Sequence, residues 1–219
     1  MPESLYSQSH DFAQILASPT LTYAEGLRFF RGEGMLNDTL RQLAKDLEDR
    51  GIEYSVIGAV ALNQHGYQRF TQGIDLLMTR EGLEKFRKEL IGRRYHPAFE
   101  GAFKKFRATA ENVPIEIITS GEYPGDGKPK SVIFPAPAEF SVLIDGVRTI
   151  DLTKLVELKL ASGMTGLGRR KDIADVQELI RVRRLPVSFG DNLDSLVRDL
   201  FLELHQEIEL SRLEEEGLG

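Results

Sequence analysis

Residues 57–76 read Ile57-Gly58-Ala59-Val60-Ala61-Leu62-Asn63-Gln64-His65-Gly66-Tyr67-Gln68-Arg69-Phe70-Thr71-Gln72-Gly73-Ile74-Asp75-Leu76. The preceding residues, Glu53–Ile57, favour a short strand that gives way at Gly58 to a helix start. Gly73–Met78 (GIDLLM) is a second apolar strand carrying one carboxylate, Asp75, near its beginning. At the helix start, the free N–H groups of Gly58, Ala59 and their successors, with the helix dipole, make a seat for an anion. A residue without a side chain lets a phosphate approach that backbone closely. Asp75 supplies the kind of oxygen ligand that Mg²⁺ takes together with substrate phosphates. Phosphoryl and nucleotidyl transfer need these two parts together, because their catalysis is largely positioning and charge neutralisation. An acid among Ile74, Leu76 and Leu77 must in any case meet a cation, since an unpaired buried carboxylate is costly. That cation is Mg²⁺, or else Arg69 or Lys171 in a structural ion pair.

Working outward, Phe12, Ile15 and Leu16 predict a short helix that Ser18-Pro19 stops. Leu36, Leu40, Leu43 and Leu47 recur at helical spacing, with Gly51 placed as a C-terminal cap. Arg80–Gly92 is a further helix with Leu83, Phe86 and Leu90 on one face. Phe103–Thr109 and Val113–Thr119 predict a hairpin turned at Glu111-Asn112, and Phe140–Ile144 with Val147–Ile150 a second one turned at Asp145-Gly146. Between them runs a loop rich in Gly, Pro and Lys, residues 121–130. Helices are expected over Asp151–Ser162, Arg170–Arg184 and Leu193 to about Leu210. The expected fold class is α+β: a small mixed sheet with flanking helices and a helical C-terminal region. Its expected organisation is an N-terminal extension (1–34), an α/β core (35–150) and the helical region (151–219).

Composition bounds the chemistry. The 219 residues include no cysteine and four scattered histidines, which excludes thiol catalysis, disulfide frameworks and cysteine-ligated zinc. No run approaches the ~18 apolar residues of a membrane span, and Met1–Asp11 is polar, so no membrane association and a cytoplasmic location are expected. The net charge of −6 argues against a protein that coats nucleic acid by charge alone. That charge is unevenly placed, however. Gly190–Gly219 holds nine acidic and two basic residues, leaving the rest of the chain near neutral with basic patches. A triphosphate or an RNA end is therefore compatible with the core.

The segment from Gly58 to Asp75 resembles the nucleotidyltransferase superfamily, whose pattern is Gly-Gly or Gly-Ser at a helix start followed by Arg-x-Thr-x-Asp-x-Asp. Gly58, Ala61, His65, Gly66, Arg69, Thr71 and Asp75 match. Lys159-Leu160-Ala161-Ser162 and Arg169-Arg170-Lys171-Asp172-Ile173-Ala174-Asp175-Val176 approximate a later helix pair, Lys-Leu-x-Ala and Arg-x-Lys-Asp-x-x-Asp. That pair makes the resemblance closest to the minimal and abortive-infection-type (toxin-like) bacterial members. Two positions depart from the pattern: Ala59 replaces the second Gly or Ser, and Gly73 replaces the first of the paired metal-binding aspartates.

The resemblance implies binding of a nucleoside triphosphate with Mg²⁺ and transfer of its nucleoside monophosphate to a hydroxyl on RNA, protein or a small molecule. Asp75 and Glu116 would hold metal, and Glu116 would also serve as base. Lys159 and Lys171 would meet phosphate, with Asp172 and Asp175 orienting Lys171 or Arg69. Gly58, Ala59, Arg69 and Thr71 would complete the nucleotide site. The loss of a ligand at Gly73 leaves a second implication: a catalytically degenerate binding or regulatory module, of the kind that forms half of a toxin–antitoxin pair with a partner protein. Asp126 is a candidate substitute ligand.

Plainer readings stand beside these. Gly58 can be a tight strand-to-helix turn, Lys171 and Asp175 a surface helix pair, and His65-Gly66 an ordinary helix end. Residues 125–130 either cradle a phosphate or form a solvated turn. Arg93, Arg94, Lys104, Lys105 and Arg107 are a solvated face or an RNA contact. The stripe Leu193, Leu196, Leu200, Leu204 and Ile208 is core or an oligomer interface.

Overall fold

The computed structural model describes residues 11–215 and 217. The reading of Met1–Asp11 as no signal segment falls, but for Asp11, outside them. The chain runs α1 (Phe12–Ala17), α2 (Pro19–Phe30), α3 (Gly34–Glu48), β1 (Tyr54–Ile57), α4 (Gly58–Gln64), β2 (Ile74–Met78) and α5 (Arg80–Leu90). It continues with β3 (Tyr95–Pro97), β4 (Lys105–Ala108), β5 (Pro114–Thr119), β6 (Ser141–Ile144) and β7 (Val147–Ile150). Three helices end it: α6 (Leu152–Thr165), α7 (Arg170–Arg183) and α8 (Ser195–Glu215). The fold is α+β, one mixed seven-stranded sheet in the order β3-β4-β5-β2-β1-β7-β6 with helices packed around it.

The sheet has a core on each face. On one, α3 and α5 lay Leu36, Leu40, Leu43, Leu47, Leu83 and Phe86 against Val56, Leu76 and Ile117. On the other, α6, α7 and α8 pack Leu155, Val156, Leu179 and Phe201 around Ile57, Leu77 and Ile150. The central strand β2 is buried on both faces over Leu76–Met78 but carries Asp75 where it emerges. It pairs antiparallel with β1 and parallel with β5, and those two registers position everything that follows.

Two elements differ from the sequence expectation. Ser18-Pro19 does not stop the helical N-terminus. Ser18 ends α1 and also caps α2, its Oγ accepting from the Leu21 N–H, while Pro19 occupies the first turn where a missing N–H costs nothing. Because that cap contact is long, at 3.5 Å, Ser18→Ala is expected to cost only about 0.5–1 kcal/mol in urea unfolding. β3 is a strand the sequence does not signal, since a three-residue strand ending in proline has no alternation to read. The leucine stripe of α8 is core: Leu193, Leu204 and Ile208 are buried, and Leu196 and Leu200 pack against the same cluster. Val197, Phe201, Leu204 and Ile208 are the helix's buried face, packed on Leu179 and Ile180 of the same chain. Among the described residues, no helix is long and apolar enough to cross a membrane.

Candidate functional site

β1 and β2 align Ile57 opposite Asp75, which brings the Asp75 carboxylate against the first residue of α4. Gly58 has φ +65°, and a Cβ there would lie 2.1 Å from Asp75 Oδ2. Only glycine serves at this position, on both counts. α4 is seven residues long, too short for a strong dipole, so the seat rests on its free N–H groups. On the other side of β2, the parallel register aligns Asp75 with Glu116 of β5, and Glu116 in turn faces Lys105 of β4. The two carboxylates thus share one face at the sheet's emerging edge.

Asp75 has no hydrogen-bond or ion-pair partner among the described residues, and Glu116 has only Lys105, at 3.6 Å. Burial, and secondarily the neighbouring Glu116 charge, push the Asp75 carboxyl up to about 6 against the pull of Lys159, Lys171 and Arg169. An acid left short of positive charge in this way is what a cation site looks like when only the protein's own groups are counted.

The facing wall comes from α6 and α7. Lys159 of α6 is buried and donates to Asp172 Oδ1 at 3.0 Å and Asp175 Oδ2 at 2.7 Å. Arg69, on the loop after α4, donates to the same Asp175 oxygen at 2.6 Å. Ser162 donates to Asp172 at 2.8 Å and accepts from Arg169 Nε at 3.0 Å. Burial raises the Asp172 carboxyl, but the Lys159 charge and the hydrogen bonds from Lys159 and Ser162 outweigh it, holding the group below the usual carboxylate range. Asp172 therefore orients Lys159 and Arg169 rather than Lys171. Lys171 stays exposed at the rim, with no ion pair among the described residues.

A cleft of about 240 Å³ lies between these walls. Gly58, Ala59, Arg69, Thr71, Asp75, Glu116, Lys159, Lys171 and Asp172 all line it, and Asp175 sits behind them, bound to Arg69 and Lys159. Thr71 also braces the approach to β2, its hydroxyl donating to the Gly73 carbonyl at 3.1 Å. The charges almost cancel: Asp172 and Asp175 neutralise two of the four cations Arg69, Lys159, Arg169 and Lys171, which leaves two cations facing Asp75 and Glu116. A divalent cation on the carboxylates would leave the cleft positive by about two charges, an attractive place for phosphate.

Several further residues, to which the sequence assigns no role, build the site. Arg169 and Ser162 sit inside the quoted motifs, at i,i+3 from Asp172 and Lys159, a spacing that could have flagged them. Asn63 clamps the loop carrying Arg69, donating to the Ala59 and Arg69 carbonyls at 2.7 and 2.6 Å and accepting from Arg69 N–H at 2.9 Å. Ile118, Phe134, Leu155 and Leu158 give the cleft an apolar end. No local signal marks Phe134.

Other candidates lie elsewhere. Asp126 does not line the cleft; it pairs with Lys130 at 2.6 Å and accepts from Lys128 N–H. Lys130 also donates to the Pro124 carbonyl and to Thr165 Oγ1, so the 125–130 loop is fastened to the end of α6 instead of forming a phosphate cradle. His65 is buried at the end of α4, hydrogen-bonded through Nε2 to the Ile150 carbonyl, and burial holds its pKa below the ordinary value. At Gly73 a Cβ would lie 3.0 Å from the Pro114 carbonyl oxygen, so a side chain there has to displace its neighbour slightly. No group of three or more His, Cys, Asp or Glu side chains is arranged to hold a metal among the described residues.

No family model and no curated protein matches the chain. Among solved structures it is similar to a nucleotidyltransferase-like protein from Paracoccidioides brasiliensis, at 15% identity over 67% of this chain and 75% of that one, with a TM-score of 0.45. It is also similar to JHP933 from Helicobacter pylori, at 15% identity over 83% and 93%, with a TM-score of 0.45. A third is the antibiotic-resistance factor ANT(2'')-Ia, solved with adenylyl-2''-tobramycin, at 14% identity over 76% and 92%, with a TM-score of 0.43.

Proposed function

We propose that the cleft binds a nucleoside triphosphate with one divalent cation and transfers its nucleoside monophosphate to a hydroxyl acceptor. The observation that carries this reading is the Asp75 carboxylate: unpartnered, seated on the Gly58 backbone, in register with Glu116 and facing a wall of cations. The motif order from Gly58 to Asp75 and from Lys159 to Asp175 supports it.

The donor set fits one hard cation. Asp75 and Glu116 provide two oxygen ligands, and Mg²⁺ completes its shell with water and phosphate oxygens. It does not fit two, because Gly73 contributes no ligand and Asp126 is engaged with Lys130. When bound, the ion supplies charge neutralisation and polarises the phosphoryl group. The chain's own residues do the rest. Gly58 and Ala59 turn N–H groups toward the phosphates. Lys171 and the free N–H of Lys159 meet phosphate oxygens, with Asp172 and Asp175 fixing Lys159 and Asp175 fixing Arg69. Ile118, Phe134, Leu155 and Leu158 give the nucleoside an apolar wall. Glu116, the more exposed carboxylate, accepts the proton of the attacking hydroxyl.

Calorimetric titration with ATP, CTP, GTP and UTP in Mg²⁺ tests this. At least one is expected to bind with heat that Asp75→Asn removes; no heat from any of the four would sink the nucleotide site. Gly73 favours a second reading, the same cleft kept as a nucleotide-binding regulatory module. Nucleotide binding in wild type without transfer of labelled nucleotide to total RNA or protein, and transfer gained by Gly73→Asp, would decide for it. A cytoplasmic location and a partner protein belong to that proposal.

A further inference from the structure

The loop 65–73 brings Arg69 and Thr71 to the cleft and has no regular structure of its own. Its side chains alternate in direction. Arg69 and Thr71 line the cleft, whereas Gln68 lines a separate groove and Phe70 packs on the α3 and α5 side of the core. The Phe70 ring meets Phe29 of α2 edge-to-face, with centroids 5.8 Å apart and planes at 82°. Gly26, three residues earlier in α2, lies under the same ring, where a Cβ would be 3.7 Å from Phe70 Cδ2. Phe29 is itself firmly mounted: it is buried, and its carbonyl accepts from Asn37 Nδ2 of α3 at 3.0 Å. Glu25, also buried in α2, accepts from the Leu36 N–H in the first turn of α3 at 3.4 Å. The far end of this helical layer is tied down as well, the Phe12 N–H of α1 donating to the Glu111 carbonyl in the β4–β5 turn at 2.9 Å. A chain of contacts therefore runs from α3 through Phe29 and Phe70 to two residues of the cleft wall.

We propose that Phe70 is a positioning residue that fixes Arg69 and Thr71 through its seat on Phe29, which makes the N-terminal helices part of the nucleotide site. The inference deepens the nucleotide-binding reading above and rests on it. Asn63 holds the Arg69 backbone and Asp175 its guanidinium, but both act at Arg69 itself. Thr71 bonds only to Gly73 within the same loop. Between Arg69 and the start of β2, Phe70 is the loop's apolar anchor. An edge-to-face pair prefers a particular orientation, so Phe29 sets the direction of the ring as well as its depth. Because Arg69, Phe70 and Thr71 are consecutive, a ring that moves takes both neighbours with it. A displacement of about 1 Å in a substrate-positioning group is enough to cost about 100-fold. Phe70 itself lines no part of the cleft and acts through its neighbours.

The test is calorimetric titration with ATP, CTP, GTP and UTP in Mg²⁺, paired with amide hydrogen exchange on the ligand-free protein. Phe70→Ala is expected to weaken binding of whichever triphosphate wild type takes by about 10–100-fold, the range of one lost charge-assisted contact. Phe70→Leu, which keeps an apolar side chain against Phe29, should recover most of that loss. Phe29→Leu leaves the loop sequence intact and should weaken binding in the same sense, which covers the case of a Phe70→Ala protein that fails to fold. On an Arg69→Ala background Phe70→Ala should add little, whereas a merely structural residue would cost the same in both backgrounds. Without ligand, Phe70→Ala should speed exchange over residues 67–73 and leave β1 and β5 protected. Unchanged binding, equal losses in the two backgrounds, or exchange that speeds throughout the sheet or nowhere would each overturn the inference. If no triphosphate binds wild type, the nucleotide reading fails, and exchange alone decides whether Phe70 orders the loop.

Discussion

Asp75→Asn is expected to raise the melting temperature of the metal-free protein at pH 7 by about 3–6 °C while abolishing Mg²⁺-dependent nucleotide binding and transfer. Burial and the adjacent Glu116 lift the Asp75 carboxyl from 3.8 to about 6. A raised carboxyl binds more protons in the folded than in the unfolded state. Its contribution is therefore fully present below about pH 4 and is lost as pH rises through about 6. At neutral pH the ionised group opposes folding by about 3 kcal/mol at most, and partial solvent access reduces this to about 1–2 kcal/mol. Asparagine keeps the shape and removes the charge. The stability difference between variant and wild type should be small at pH 4, grow to pH 6 and stay level above it. His65 works in the opposite sense: its lowered pKa gives stability present above about 6.5 and lost on acidification. It cancels in the comparison because both proteins carry it. Millimolar Mg²⁺ should stabilise wild type and leave the variant unmoved. A variant less stable than wild type at pH 7 in chelator would refute the picture of Asp75 as an uncompensated acid.

That a functional group should destabilise its own fold bears on what the sequence could reveal. Asp75 is legible because an acid within an apolar strand breaks a local rule, and such violations concentrate at sites. The β1–β2–β5 neighbourhood follows from apolar runs and turn residues, with Asn112 at φ 58° closing the hairpin where Glu111-Asn112 suggested. Long-range facts were not legible. That Lys130 fastens its loop to Thr165 and that Phe134 reaches the cleft are consequences of packing between segments far apart in the chain. The N-terminal helices show a different failure. Pro19 can stop a helix or start one, and only the Ser18 cap distinguishes the two. In α8 the leucine row is core as its spacing suggests, and Val197 and Phe201, one position on from Leu196 and Leu200, are buried completely beside it.

Gly58→Ala is expected to cost about 3–4 kcal/mol, and its cost should depend on Asp75. Two effects add. A left-handed backbone at φ +65° costs an alanine about 1–2 kcal/mol. The new methyl would also stand 2.1 Å from Asp75 Oδ2 and 2.9 Å from its Cγ, and Asp75 cannot simply swing away because its Cβ lies 3.1 Å from the same point, anchored in β2. Relieving that overlap strains strand or carboxylate by about 2 kcal/mol more. Removing the carboxylate separates the terms. Placed on an Asp75→Ala background, which keeps only the Cβ at 3.1 Å, Gly58→Ala should cost chiefly the backbone part, about 1–2 kcal/mol. A double-mutant cycle by urea unfolding should then give a coupling of about 2 kcal/mol, well above the scatter for independent sites. Equal costs in both backgrounds would show that Asp75 is not seated against the α4 N-terminus. Without that seat, neither a shared metal and phosphate position nor an attack line through Glu116 could be built on this cleft.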